Sequence, residues 1–418
     1  MRRRIVSNFG IRSRLMALLF GLIVACAVQA QTADSGSQPQ PEPKPWLDIY
    51  GFANLDMGYD FKQVNPDWYD VVRPTKLPAY TNEYGSNGNY FMSVRQTRFG
   101  VRSELPTKLG PLKSDFEFEL FGTGVDAGQT TFRLRHAYGE LGQFLGGQTW
   151  STFMDPDIFP NTIEYWGPTG MVLFRNVQFR WMPVRRGKSH VWIAVERPGA
   201  SADQGQYADR IELANVRPHF PLPDFTAQAR YGRDWGHVQI AGIGRRIEWV
   251  DTGTGPYNLS GGTWGWGVNL TSVVNVAKKD ALRLGFVYGK GIQNYMNDAP
   301  EDIGPVPNPG NTVTPLVGQP IPLVALSAYY DHYWSERWSS SFGYSRLDTD
   351  NTEGQAAAAF RIGQYASANL LCYPVKNMMA GTEFIYGYRK NFRDGFHVPD
   401  YRVQVTFRYN FSFRIGGS

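Results

Sequence analysis

Cysteine is almost missing from this sequence, since Cys26 and Cys372 are the only two among 418 residues. Cys26 lies in an apolar N-terminal stretch with the features of a secretory leader, which export would remove. The mature chain would then keep Cys372 alone, and one cysteine forms no intrachain disulfide even in an oxidising compartment. A fold that depends on disulfide bonds is therefore excluded.

Long apolar runs are also missing beyond the N-terminus. A helix that crosses a bilayer needs about 20 consecutive apolar residues, and no later stretch comes near that length. Membrane-spanning helices are therefore excluded. Aromatic residues nevertheless make up 15% of the chain and concentrate in alternating segments. Such aromatics are typical of the girdles that flank the apolar band of an outer-membrane barrel.

The sequence offers little for catalysis. No nucleophile elbow, zinc-ligand spacing or phosphate-binding glycine loop occurs in a fitting context, and we expect no metal and no cofactor. Alternation along residues 131–139, a predicted strand, places His136 on the apolar face. An enzyme built on a membrane barrel, such as a lipase, would need its histidine on that face. Its neighbours Leu134 and Tyr138 supply no nucleophile on that face. We therefore expect no enzyme, and the barrel enzyme stays an alternative.

An excess of charge of one sign is absent once the leader is set aside. The whole chain has 42 basic and 37 acidic residues, a formal net charge of +5. Five arginines and no acid lie within residues 1–30, which leaves 37 basic and 37 acidic residues in the mature chain. A chain without a global basic field is not expected to bind nucleic acid.

The N-terminus has the pattern of an export signal. Five arginines precede an apolar run from Leu15 to Val28 that is too short to span a membrane, and Ala30 fits a cleavage site. We predict a signal peptide over residues 1–30. The alternative is a lipoprotein-type cut that leaves a lipidated Cys26. Residues 31–45 are polar and proline-rich, which predicts an extended linker.

The segment from Tyr401 to Phe413 shows a strict period of two. Odd positions are aromatic or β-branched and even positions are polar. Because successive side chains of a strand point to opposite faces, this strand has one apolar and one polar face. Its length is unusual for a soluble strand and sufficient to cross a bilayer when tilted. The pattern is typical of an outer-membrane barrel, apolar outside and polar inside.

The same alternation predicts an all-β fold, a transmembrane antiparallel β-barrel of about sixteen strands in residues 46–418. The predicted strands are 46–60, 90–104, 112–122, 131–139, 142–150, 172–183, 189–197, 224–233, 238–250, 263–276, 280–291, 323–334, 337–349, 358–371, 376–390 and 401–413. Residues 208–216 alternate weakly and could form a seventeenth. An even number places the long connections after residue 151 on one side, as bacterial barrels require. A soluble secreted β-protein would not explain such long one-sided strands.

Alternation also assigns charged residues to the barrel interior. The predicted pore-lining set is Arg98, Arg102, Arg133, Arg135, Arg180, Asp115, Glu117 and Glu119, with Arg230, Arg283, Arg361, Arg402 and Arg408 as further inward candidates. An arginine on the lipid face near mid-depth would cost about 2–4 kcal/mol, which favours the inward assignment. Clustered guanidiniums attract and bind carboxylates. The alternative is that these charges form only cross-strand pairs in the wall.

The segment 151–171 is predicted to be a constriction loop. It carries Asp155, Asp157 and Glu164, together with three prolines and several aromatics that would stiffen it. Folded inward, it would narrow the lumen and set its acids opposite the arginines. The alternative is an ordinary surface loop that lies over the barrel mouth.

Several motifs resemble those of the DcaP-like porins of Gram-negative bacteria. They are YGFA at 50–53, VRQTRFG at 94–100, VDAGQTTFRLRHAYG at 125–139, GQTWSTFMDPDIFPNTIEYWGPTG at 147–170 and FRNVQFRW at 174–181. The resemblance is dense over residues 46–240 and looser beyond. It implies a homotrimeric sixteen-stranded channel, embedded in outer-membrane lipid, that favours small anionic organic solutes such as dicarboxylates. It also implies that Arg98, Arg133, Arg135 and Arg180 line the lumen.

Two departures from that family pattern affect assembly. Some relatives have an N-terminal helical segment where this chain has a proline-rich linker. The last strand also does not end the chain on an aromatic residue, because Phe413 is followed by Arg414-Ile415-Gly416-Gly417-Ser418.

From the alternation, the export signal and the resemblance together, we expect an exported, integral outer-membrane porin that passes small hydrophilic solutes and prefers anions. A closed structural barrel is a second alternative beside the enzyme.

Overall fold

The structure, a computed structural model, describes residues 44–277 and 279–417. The predicted signal peptide, Cys26 and most of the predicted linker lie outside the described residues. Within the described part of the chain, no helix is long and apolar enough to cross a membrane. The helical segments there are single 3₁₀ turns in the connections between strands.

Of the strands that the structure describes, all but two belong to one closed antiparallel wall. In chain order the strands are β1 (Trp46–Asp60), β2 (Asn89–Ser93), β3 (Arg98–Thr107), β4 (Gly110–Phe121), β5 (Thr130–Leu141), β6 (Phe144–Trp150), β7 (Arg175–Arg186), β8 (Ser189–Glu196), β9 (Val216–His219), β10 (Asp224–Arg233), β11 (Gly236–Asp251), β12 (Gly261–Asn275), β13 (Ala281–Lys290), β14 (Ile303–Pro307), β15 (Leu316–Pro320), β16 (Pro322–Tyr333), β17 (Trp338–Thr349), β18 (Phe360–Cys372), β19 (Met378–Asn391) and β20 (His397–Gly416). β14 and β15 make a separate hairpin within a loop.

The wall has sixteen strands, as the sequence predicts. β2 and β3 are two halves of one wall strand, because both pair with β1. β9 is a short addition that pairs with the end of β11. The weakly alternating 208–216 segment is not a wall strand, since Ile211–Asn215 is a 3₁₀ turn. Counting β2 and β3 as one strand and leaving out β9 gives sixteen wall strands. An even number places the N- and C-termini at the same end of the barrel.

β1 closes the barrel. It pairs with β20 along its whole length, from Trp46 opposite Gly416 to Asp60 opposite Arg402, and with β2 and β3 on its other side. The residues after Phe413 continue this ladder, because Arg414 pairs with Asp48. Closure leaves the wall without a free sheet edge and satisfies its backbone groups internally, which a lipid environment requires.

The two ends of the barrel differ in their connections. Two-residue turns join β5 to β6 and β7 to β8 at the end that also carries both termini. The opposite end carries the long connections 61–88, 151–174, 197–215 and 291–321. We call them the short-turn end and the long-loop end. In bacterial barrels the short turns are periplasmic and the long loops are extracellular.

Apolar and polar side chains alternate between the outer and inner faces of the wall. On β20, Val403 and Phe407 are exposed on the outside, whereas Arg402, Gln404 and Thr406 are fully buried inside. Apolar side chains that a soluble protein would bury are exposed on the outer face, where they can contact lipid. This confirms the reading of the terminal strand as membrane-spanning.

A β-bulge in β5 corrects two predicted orientations. Glu117 of β4 pairs with His136, but the next residue, Phe118, pairs with Leu134, so Arg135 is the extra residue. The inserted residue shifts the alternation beyond it. His136 and Tyr138 therefore share the inner face of Glu117 and do not face lipid. His136 is buried and its Nδ1 lies 3.0 Å from the hydroxyl of Thr149.

A second bulge corrects the prediction that Arg361 points inward. Phe360 pairs with Asn391 and Ile362 pairs with Lys390, which leaves Arg361 unpaired between them. Phe360 is buried in the interior, while Arg361 is exposed. The strict period of two fails wherever one residue is added, and sequence alternation alone does not reveal the added residue.

Candidate functional site

A cavity of about 640 Å³ lies inside the barrel. Its basic lining residues are Arg73, Lys76, Arg98, Arg133, Arg135, Arg175 and Arg408. Aromatic residues form much of the remaining wall, namely Phe52, Trp68, Trp150, Phe159, Tyr165, Trp166 and Phe174. The combination presents cations beside flat apolar surfaces in one chamber.

Glu119 is the centre of the basic cluster. Its carboxylate lies 2.5 Å from Nη1 of Arg135, and within 3.5–3.6 Å of guanidinium nitrogens of Arg98, Arg133 and Arg175. Tyr165 also donates its hydroxyl hydrogen to Glu119. One buried carboxylate therefore holds four arginines close together, although like charges repel at such distances.

Glu117 is the second carboxylate of the cluster. It accepts a hydrogen bond from Nε of Arg135 at 2.6 Å and lies 3.6 Å from Nε of Arg98. Two carboxylates thus face four guanidiniums, which leaves an excess of two positive charges. The geometry combines a tight pair at Arg135 with looser contacts that leave the other arginines able to meet a solute anion.

Three arginines of the cavity keep capacity for a ligand. The side chains of Arg98 and Arg133 are 25% and 30% exposed. Arg408 donates hydrogen bonds to Asn54 and Gln96, and no ion pair joins it to an acid in the described part of the chain. Charge-assisted hydrogen bonds to carboxylates need such accessible N–H groups.

The loop 151–171 lies inside the barrel and contacts distant parts of its wall. The backbone N–H of Asn161 donates to Asp331 of β16 at 3.2 Å, and that of Ile163 donates to Glu383 of β19 at 3.0 Å. The carbonyl of Ile163 accepts from Gln96 at 2.9 Å. The loop starts after β6, so these contacts carry it away from its own strands and across the interior.

Glu164 is a buried anchor of this loop. Its carboxylate accepts from the backbone N–H groups of Val72 at 3.1 Å and Gly167 at 2.5 Å, and from the hydroxyl of Tyr365 at 3.1 Å. No basic side chain of the described residues forms an ion pair with it. Burial raises the pKa of Glu164 to about 7, although the two backbone bonds oppose the rise.

Asp155 and Asp157 bind a different part of the wall from the one expected. Asp155 accepts from Arg230 at 2.6 Å, His237 at 2.8 Å and Thr271 at 2.6 Å. Asp157 also contacts Arg230. Burial opposes ionisation of Asp155, but the His237 bond and the Arg230 charge lower its pKa. These two acids therefore neutralise Arg230 and do not face the basic cluster.

A second cavity of about 660 Å³ lies on the other side of this loop. Pro156 and Phe159 line both cavities, so the loop separates them. The second cavity contains Lys188, Arg233 and residues of the short turns. The loop thus divides the interior into a chamber toward the long loops and a vestibule toward the short turns.

Three loops meet at Asp298 above the basic cluster. Asp298 accepts from Nε of Arg73 at 2.9 Å and from the backbone N–H of Thr75 at 2.9 Å. The hydroxyl of Thr169 donates to the Asp298 carbonyl at 2.9 Å. Arg73 also lies between the rings of Trp68 and Trp166, about 4 Å from each centroid. We call this set of contacts the Asp298 clasp.

Some predicted pore residues lie on the inner face but outside the cavity. Arg102 pairs with Asp48 at 2.8 Å and keeps half of its side chain exposed. Asp115 accepts the hydroxyl hydrogen of Tyr50 at 2.8 Å. Arg180 is buried and donates to the carbonyl of Trp150 at 2.5 Å. Of the eight predicted wall residues, Arg98, Arg133 and Arg135 line the cavity directly, and Glu117 and Glu119 hold them.

Sequence reasoning missed Arg73, Lys76 and Arg175. Arg175 begins β7 and would point outward by strict alternation, yet its guanidinium lies 5.0 Å from the ring of Trp150 and contacts Glu119. Arg73 and Lys76 belong to the loop after β1. Alternation carries no information in a loop, so only long-range contacts could reveal these two.

The closed wall with apolar exterior, polar interior and basic chamber defines an outer-membrane channel of the porin class. A family model of the DcaP outer membrane protein matches residues 20–242, more than half of the chain. The chain belongs to this family, and it is located in the outer membrane. No curated protein matches the sequence.

Solved structures show the same fold. The outer membrane channel DcaP of Acinetobacter baumannii is 20% identical, with 87% of this chain and 97% of that chain covered and a TM-score of 0.73. An anion-selective porin from Comamonas acidovorans is 11% identical, with 87% and 99% covered and a TM-score of 0.57. The trimer form of OmpT of Vibrio cholerae is 12% identical, with 87% and 99% covered and a TM-score of 0.52.

Proposed function

We propose that this porin is a passive diffusion channel with a preference for small organic anions. The observation that carries the proposal is the imbalance at the cavity, where four arginines share Glu117 and Glu119. In a narrow lumen with low-dielectric walls, an excess of two positive charges attracts anions and repels cations.

The lining of the chamber favours organic anions with more than one carboxylate. Arg98 and Arg133 offer accessible guanidiniums on the wall, while the exposed Lys76 lines the same cavity from a loop. A solute with two anionic groups could contact a wall arginine with one group and Lys76 with the other. Its carbon skeleton would then lie against the aromatic rings. The family resemblance to dicarboxylate-type channels supports the same substrate class.

The loop 151–171 is the proposed constriction. Its contacts with Gln96, Asp331 and Glu383 tie it to separate parts of the wall, and Pro156 and Phe159 separate the two interior cavities. A solute would pass this loop between the chamber and the vestibule. Selectivity would therefore be set where the basic cluster and the loop meet.

A homotrimer is the assembly that we propose. The family resemblance implies three subunits, and the Vibrio cholerae neighbour was solved in a trimer form. Planar-bilayer recordings should then show conductance steps in groups of three. Single independent conductance steps from the purified protein would contradict the trimer. They would leave the channel proposal unaffected.

The decisive experiment measures reversal potentials of purified protein in a planar bilayer under a KCl gradient. We expect anion selectivity in the wild type. The double variant Arg133→Gln/Arg408→Gln should lose much of it, because each charge removed at roughly 15 Å and an effective dielectric constant of about 20 changes the energy of a passing ion by about 1 kcal/mol.

The matched control is Arg102→Gln, which removes an inward arginine that lies outside the cavity and pairs with Asp48. Its reversal potential should stay near that of the wild type. A cation-selective wild type, or equal effects of the control and the double variant, would contradict the proposed role of the cluster. A folded barrel without conductance would favour the closed structural alternative.

The enzyme alternative receives no support from the position of its candidate histidine. His136 is turned into the interior, where it contacts Thr149 and lies 4.0 Å from Glu117. It is therefore not available to a lipid substrate at the outer wall.

A further inference from the structure

The outer wall of β17–β19 carries a group of cations near the long-loop end. Arg346 lies between the buried Ser345 and Leu347, so alternation directs it outward. Lys390 likewise lies between the buried Arg389 and Asn391. Outward cations are unexpected on a surface that otherwise presents apolar and aromatic side chains to lipid.

Arg361 completes the group on the strand between them. It is the extra residue of the β18 bulge, next to Ile362, which pairs with both Asp348 of β17 and Lys390 of β19. The three cations therefore stand on adjacent strands, which are about 4.8 Å apart. We call Arg346, Arg361 and Lys390 the outer cation patch.

The outer cation patch has a net positive charge. Arg346 donates to Asp348 at 3.0 Å, and both side chains remain about one-third exposed. Arg361 and Lys390 are exposed, and neither forms an ion pair with an acid among the residues that the structure describes. Asp348 thus compensates Arg346, and Arg361 and Lys390 are the two cations of the patch without an acidic partner in the described chain.

The side chains below the patch fix its height in the membrane. On β17 the outward residues run from Phe342 to Tyr344 to Arg346, and on β19 from Phe384 to Tyr386 to Lys390 by way of Tyr388. Apolar rings belong in hydrocarbon and tyrosines at the interface. The cations that follow the tyrosines are therefore at the level of the lipid headgroups.

We propose that the outer cation patch binds the phosphate groups of lipid A, the phosphorylated lipid of the outer leaflet. The patch is at the long-loop end, which is the extracellular side of an outer-membrane barrel. Guanidinium and ammonium groups bind phosphate through charge-assisted hydrogen bonds. The acyl chains of the bound lipid would then pack against the rings below.

Native mass spectrometry of the purified full-length protein can test this site. The probes are lipid A with both phosphates and the same lipid without phosphates. We expect the wild type to retain the phosphorylated lipid more tightly, and the Arg361→Gln/Lys390→Gln variant to bind it at least about tenfold more weakly. Equal binding of both lipids by the wild type would overturn the proposal.

The control variant Lys108→Gln/Arg337→Gln removes two exposed cations at the short-turn end. It should bind phosphorylated lipid A like the wild type. A comparable loss in the control would show that overall charge, and not the patch, determines binding. Neither Arg361 nor Lys390 lines an interior cavity, so an unchanged single-channel conductance would show that the patch variant is folded.

Discussion

At the scale of single residues, the basic chamber depends on Glu119. This carboxylate is fully buried, and its contacts hold Arg135, Arg175, Arg133 and Arg98 together. Without it, four guanidiniums would lie in one enclosed space with Glu117 as their remaining carboxylate. The residue that organises a site for anions is thus itself an anion.

Replacement of Glu119 by glutamine should affect both stability and selectivity. The change keeps the shape of the side chain but leaves buried arginines uncompensated, and breaking a buried ion pair in this way costs about 3–5 kcal/mol. We expect a lower melting temperature together with stronger anion selectivity, measured by circular dichroism and reversal potential.

Glu140→Gln is the control for this prediction, because Glu140 pairs with the exposed Arg185 at 3.0 Å near the short-turn end. It should change neither quantity appreciably. Unaltered selectivity in a folded Glu119→Gln channel would contradict the organising role of Glu119.

At the scale of elements, the interior loop is held by groups of different character. Asp155 is bound by Arg230 and His237, which lower its pKa, whereas Glu164 is buried away from any ion-pair partner in the described chain and has a pKa of about 7. The two anchors therefore respond differently to pH. The attachment at Glu164 should weaken as the pH rises from about 4.5 to about 7, whereas the attachment at Asp155 should persist over that range.

The pH dependence of loop docking follows from the raised pKa of Glu164. A carboxyl group whose pKa is raised from 4.5 to about 7 on docking is most stable in the docked loop when protonated. Docking is fully favourable below about pH 4.5, loses stability as pH rises, and reaches its weakest value above about pH 7. We expect more frequent conductance fluctuations at pH 8 than at pH 5.

Glu164→Gln removes the titration and preserves the size of the side chain, so fluctuations in this variant should depend much less on pH. Asp209→Asn, at an exposed position of another loop, should behave like the wild type. The same pH dependence in wild type and Glu164→Gln would assign it to other groups.

At the scale of the whole molecule, the chamber is enclosed by parts of the chain that are far apart in sequence. Arg73 and Asp298 are separated by 225 residues, and Thr169 comes from a third loop. The strands supply the wall, but the Asp298 clasp holds loops over it. The width of the opening therefore depends on contacts between loops that the closed barrel brings together.

Removal of the clasp charge should loosen this opening. Asp298→Asn weakens the pair with Arg73 and the bonds to Thr75, so we expect a larger and noisier single-channel conductance with an intact barrel. The control Asp350→Asn changes an exposed acid just beyond β17. Identical conductance and noise in the Asp298 variant and the wild type would contradict a role of the clasp in limiting the channel.

The sequence by itself determined the barrel, because alternation between lipid and lumen is a local requirement on each strand. It predicted sixteen strands and placed Arg98, Arg133, Glu117 and Glu119 on the inner face, where the structure has them. It was wrong for His136, Tyr138 and Arg361, since one inserted residue reverses the alternation without a visible change in composition.

Only the tertiary structure decided which inner charges form the candidate site. Arg102 and Arg180 follow the same pattern as Arg133, yet they are bound elsewhere on the wall. Arg73 reaches the chamber from a loop, and Asp155 pairs with Arg230 instead of facing the arginines. Period and composition fix the face of a side chain, whereas its partners depend on the folding of loops across the lumen.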